Sequence, residues 1–176
     1  MYFAALLART DEGWEASDTE LDNVETLADL TDVAREASVD DDTVLICIEQ
    51  EGAWFGVVRV DGEDDPRIFV SGAAAAARSA YGEILLTDEM LGREPRAVDD
   101  LDSLTDLDGT EDGEPEPDGD VSGSGAETVP EGPVGDAELL ADLGMGAEDV
   151  VLLSADEAMA QIAEALGCTD VLEAVR

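Results

Sequence analysis

The side chains able to do chemistry in this 176-residue chain are 46 aspartates and glutamates, eight arginines and two cysteines, Cys47 and Cys168; histidine and lysine are absent. General acid–base relays and nucleophilic triads lean on imidazole, so Ser-His-Asp and Cys-His arrangements are excluded. Zinc sites that need histidine are excluded too, and two distant cysteines fall short of a four-thiolate site. The phosphate-gripping lysine of a P-loop cannot exist here. A carboxylate pair of the glycosidase kind needs only two acids at a set distance. With 46 acids, any such pair is unremarkable. Asp108, Thr110, Asp112 and Gly113 match positions one, three, five and six of a calcium loop. Position twelve, which should be a bidentate glutamate, is Gly119, and no flanking helix pair is evident. The expectation is a chain without enzyme activity, metal or cofactor.

The formal charge is −38. Nucleic-acid binding relies on clustered cations that release counterions from phosphates. The arginines here, Arg9, Arg35, Arg59, Arg67, Arg78, Arg93, Arg96 and Arg176, are scattered. Direct nucleic-acid binding is therefore not expected, nor is an anionic membrane surface. Basic proteins are the electrostatically favoured partners, although net charge also serves plain solubility. The apolar stretch Met1–Thr10 is short, lacks a basic start and runs into Asp11 and Glu12, unlike a secretion signal. No run is long enough to span a bilayer. Two cysteines far apart read as reduced thiols, so a cytoplasmic protein is expected.

Three segments separate by composition. Residues 1–93 are rich in apolar and aromatic residues and form the expected α+β domain. Residues 94–132 are acidic, with glycine, proline and serine, and predict a disordered linker. Residues 133–176 regain helical patterning and predict short helices docked on the first domain. Within the first segment, strands are expected over 2–9, 14–17, 43–49, 54–60 and 67–70. A helix is expected from Asp22, capped with Glu25, and another from Ala73 towards Gly82. In the last segment helices are expected over 137–143 and 147–153, from a Ser154 capping box to Leu166, and after Thr169. The fold class is thus α+β, with a five-stranded, mainly antiparallel sheet in the order ββαβββα.

Both faces of the strands are apolar. Tyr2, Ala4 and Leu6 alternate with Phe3, Ala5 and Leu7; Trp54, Val58 and Val60 alternate with Phe55 and Val57. A sheet exposed on one side would alternate apolar with polar residues instead. The second face therefore needs a cover, from the C-terminal helices, a second copy or a partner. Trp14, Trp54 and Phe55 are candidates for partner contact, although aromatics in strands more often fill cores. The acidic hairpin Asp61, Glu63, Asp64 and Asp65 is a second candidate, and otherwise an ordinary solvated turn.

The opening Met1-Tyr2-Phe3-Ala4-Ala5-Leu6-Leu7-Ala8-Arg9, the block from Ile48 through Trp54-Phe55-Gly56-Val57-Val58-Arg59-Val60, the stretch Ala73–Leu86 and the ending Ala165–Arg176 resemble the actinobacterial tRNA adenosine deaminase-associated proteins. The resemblance implies an accessory role beside the enzyme that converts adenosine to inosine in tRNA. It carries over no catalytic or binding residue. The deaminase's own signature, His-x-Glu with Pro-Cys-x-x-Cys, is absent. The element order is also similar to longin and roadblock modules, which are binding platforms; that is an analogy of fold alone. The expected function is a non-catalytic protein that binds a protein partner, the deaminase being the one implied, with homodimerisation open. The rival reading is an acidic nucleic-acid mimic or decoy that binds basic proteins generally.

Overall fold

The computed structural model describes residues 2–19, 21–38, 40, 42–87, 90–91 and 129–175. The linker expected over 94–132 falls outside the described residues up to 128, as does the calcium-like stretch from Asp108. The described part of that linker, 129–132, meets the first segment again: the Gly132 carbonyl accepts from the Ala73 amide at 3.1 Å.

Strands β1 (Tyr2–Thr10) and β2 (Gly13–Asp18) form a hairpin, followed by a 3₁₀ turn at Leu21–Asn23 and helix α1 (Leu27–Ala37). Then come β3 (Thr43–Gln50), β4 (Trp54–Asp61) and β5 (Arg67–Val70), then helices α2 (Ala73–Ala76) and α3 (Ala80–Leu85). After the undescribed stretch come β6 (Val134–Gly135), a 3₁₀ helix over Ala137–Leu143, α4 (Ala147–Leu152), α5 (Ala158–Leu166) and α6 (Thr169–Val175). The strands make one antiparallel sheet in the order β2-β1-β3-β4-β5-β6.

The fold is α+β with an antiparallel sheet, but six strands replace the expected five. The extra strand is two residues long, too short for any periodicity. Gly135 makes it possible. It sits at φ 98°, and a Cβ there would lie 2.1 Å from the Ile68 carbonyl oxygen. Only glycine lets β6 pass this close to β5.

Helix starts also moved. The first helix is capped at Thr26 rather than near Asp22. The Thr26 Oγ1 accepts from the Asp29 amide at 3.2 Å, and Asp29 Oδ2 accepts from the Thr26 amide at 3.0 Å. This reciprocal box satisfies two amides that the first turn would leave bare. The expected alanine helix is broken in two. Ser79 caps α3, and Gly82 packs its backbone on α2, where a Cβ would meet the Ala76 carbonyl oxygen at 2.0 Å. Helix α5 begins at Ala158, one turn after Ser154, whose backbone carbonyl accepts from the Ala158 amide at 2.9 Å.

The two apolar faces of the strands build two cores. Ala4, Leu6, Val44, Ile46, Ile48, Trp54, Val58 and Val60 meet Leu30 and Ala34 of α1 and Leu85 of α3. Ala5, Leu7, Leu45, Cys47, Phe55, Val57 and Phe69 meet Leu139, Leu140, Val150, Met159, Ile162 and Leu172. The C-terminal helices thus cover the face that α1 to α3 leave open. Each fully buried leucine or phenylalanine side chain contributes about 1.5–3 kcal/mol by leaving water.

Candidate functional site

The pattern of apolar residues on the second face of β4 runs Phe55, Val57 and then Arg59. This arginine is only 7% exposed. The C-terminal segment explains its presence. Between Ala97 and Val175 the sequence holds no cationic side chain, so a carboxylate of that segment that is ion-paired takes its cation from elsewhere in the chain. Arg59 Nη1 donates to Asp142 Oδ1 at 2.5 Å and to the Leu139 carbonyl at 2.6 Å. Its Nη2 donates to Asp142 Oδ2 at 2.9 Å, and its Nε to Asp61 Oδ2 at 2.8 Å. A fork held by two carboxylates and a carbonyl satisfies a largely buried guanidinium. The Asp142 bonds, ahead of the burial that opposes them, hold Arg59 above the usual arginine range; Arg59 in turn holds the Asp142 carboxyl below its usual value. Further along the sheet, Arg67 Nε donates to Asp136 Oδ2 at 2.6 Å, while Asp136 Oδ1 caps the 3₁₀ helix through the Glu138 amide. Two arginines of the sheet therefore pin the C-terminal segment at two points.

The candidate contact residues part company in the structure. Trp54 and Phe55 are fully buried on opposite faces of β4, so no partner reaches them in the folded protein. The Trp54 indole donates to Gln50 Oε1 at 2.7 Å, which satisfies its one polar atom. Trp14 is half-buried on edge strand β2 and packs on the same core as Phe55. Asp61 accepts from Arg59 and from the Thr43 hydroxyl, which ties it into the sheet. Glu63, Asp64 and Asp65 are exposed at the tip of the β4–β5 hairpin. Arg35 of α1 steadies that tip by donating to the Gly62 and Glu63 carbonyls at 3.3 and 3.4 Å, leaving the carboxylates facing solvent.

Both cysteines are free and buried, in the core under the C-terminal helices. Burial pushes the Cys47 thiol up to about 12 and raises Cys168 as well. Such thiols are poor nucleophiles. Among the described residues no group of three or more potential ligands is placed to hold a metal ion. No described helix is long and apolar enough to cross a membrane.

Two further surface features stand out, one of them at Tyr81, another aromatic candidate for a contact surface. Tyr2 and Tyr81 meet edge to face at 4.9 Å, and Tyr2 remains half in solvent. On α4, Val151 and Leu152 stand out from the protein. The run Val150-Val151-Leu152-Leu153 held the clue. It is apolar all round a short surface helix, which can bury only one side.

The family model of the Rv3753c-like tRNA adenosine deaminase-associated protein matches residues 2–169, spanning the sheet and the helices on both its faces. No curated protein and no solved structure is significantly similar to the chain. The match runs across both cores and both arginine anchors, and the chain belongs to the tRNA adenosine deaminase-associated family.

Proposed function

We propose that this chain is a non-catalytic, cytoplasmic accessory protein that binds the tRNA adenosine deaminase. The family match carries the reading, because the family is described by its association with that enzyme rather than as the enzyme. The chemistry of the chain supports it. No histidine exists to ligate zinc or shuttle protons, and both thiols are buried. Charge supports a protein partner over tRNA itself. An enzyme that grips tRNA presents cations to phosphates, and a surface of charge −38 is attracted to that enzyme and repelled by its substrate. Size-exclusion chromatography of the two purified proteins, with and without tRNA, tests this. Co-elution at physiological salt supports it; separate elution even at low salt refutes it.

The same charge favours a second reading, a general decoy for basic proteins. Binding of that kind is unselective and disappears at moderate salt, because screening shortens the reach of exposed charges to about 8 Å at physiological ionic strength.

A further inference from the structure

We propose that the Val151–Leu152 step of α4 is the apolar centre of the surface that meets the cationic, tRNA-binding face of the deaminase; this rests on the accessory reading above. Helix α4 is held by Val150 and Leu153, which are buried three residues apart, and by Met145 before it. Val151 is 47% exposed and Leu152 82%. Packing among the described residues covers Val151 by about half and Leu152 hardly at all. A β-branched valine is a poorer helix former than glutamate or glutamine, and an exposed leucine gains nothing from burial. Of the other leucines of the helical cover, Leu139, Leu140, Leu153 and Leu172 are buried and Leu143 and Leu166 are partly so. Contiguous exposed apolar residues bordered by polar ones are a feature of contact surfaces.

The charge that flanks the step in sequence selects the occupant. Glu148 and Asp149 precede the step, and Asp156 and Glu157 follow it, all exposed. Asp136 and Asp142 are paired with Arg67 and Arg59, whereas these four have no ion-pair partner among the described residues. A second copy of the chain brings the same negative charge and is repelled. A membrane of anionic lipid or a nucleic acid is repelled likewise. A cationic protein face with an apolar recess gains from both the flanking charge and the centre. An apolar contact at the middle of an interface gains most when polar contacts around it exclude water. A tRNA-binding rim is cationic by necessity.

Full-length wild type, L152S and the double variant V151S/L152S are titrated calorimetrically against the purified deaminase at physiological salt. In L152S the thermal midpoint and near-ultraviolet circular dichroism are expected to be unchanged, since Leu152 is 82% exposed; the half-exposed Val151 makes L152S the variant that isolates binding. The dissociation constant is expected to rise about tenfold or more in L152S and further in the double variant. Added tRNA is expected to displace the wild-type chain. Equal binding by all three proteins overturns this inference and leaves the accessory reading standing. No binding by wild type overturns the accessory reading and this one with it. A ternary complex that forms with tRNA bound removes the tRNA-binding face as the occupant. Light scattering that shows a dimer lost in L152S makes a second copy the occupant and overturns the proposal.

Discussion

Arg59 and Asp142 lie 83 residues apart in the chain, yet guanidinium and carboxylate meet through two parallel hydrogen bonds of 2.5 and 2.9 Å. The pair joins the sheet to the segment that covers its second face. Breaking it leaves the buried arginine with Asp61 and the Leu139 carbonyl as its remaining partners.

Replacing Asp142 with asparagine is therefore expected to lower stability by about 1–3 kcal/mol, the range for a hydrogen bond to a charged group. R59M is expected to cost less than R59A, because methionine keeps part of the buried volume. Urea unfolding of wild type and the three variants measures this. Equal midpoints for wild type and D142N would mean that the pair contributes nothing.

The same bond sets a pH dependence. The Arg59 bonds depress the Asp142 carboxyl below its usual 3.8. A carboxyl depressed on folding stabilises the protein above its unfolded value, and that contribution disappears as pH falls through the folded one. The stability gap between wild type and D142N should be constant from about pH 5 to about pH 8 and close as pH falls below the usual carboxyl value of 3.8. A gap that persists in acid would assign the effect to packing instead.

The two thiols report on the cover itself. Cys47 and Cys168 lie buried in the core beneath the C-terminal helices. In native protein neither should react with a thiol reagent on the timescale of minutes, and both should react in denaturant. In D142N, reaction should accelerate before global unfolding, because the weakened anchor lets the cover open locally. Rapid labelling of the native wild type would contradict the burial of this core.

Gly135 tests the sixth strand. Alanine there must adopt φ 98° and crowd the Ile68 carbonyl. The expected cost is about 1–3 kcal/mol, from overpacking and left-handed backbone strain. Thermal melting of G135A checks it, and an unchanged midpoint would show that β6 pairing is dispensable.

Much of the sheet was legible because its strands are long and β-rich. Thr43–Gln50 and Trp54–Asp61 carry apolar residues on both faces, and that pattern called for a cover on each side. What escaped depended on single atoms rather than on periodicity. The break at Ser79 follows from Gly82 against the Ala76 carbonyl, and β6 follows from Gly135 against Ile68. Arg59 interrupts an apolar face, and nothing local to β4 names Asp142 as its mate. The candidate aromatics were the right size for contact, but Trp54 and Phe55 were needed inside, one in each core. The helix expected over 147–153 forms, but it is too short to bury Val151 and Leu152 along with Val150 and Leu153.

The claim that this chain is a selective partner of the deaminase is tested most directly by comparative calorimetry. The purified chain is titrated into the tRNA adenosine deaminase and into an unrelated cationic protein such as lysozyme, each at low and at physiological salt. The expected result is a saturable complex with the deaminase that survives physiological salt, and lysozyme binding that vanishes as salt rises. Equal affinity for both proteins, lost together with screening, would make the chain a general acidic decoy and contradict the claim.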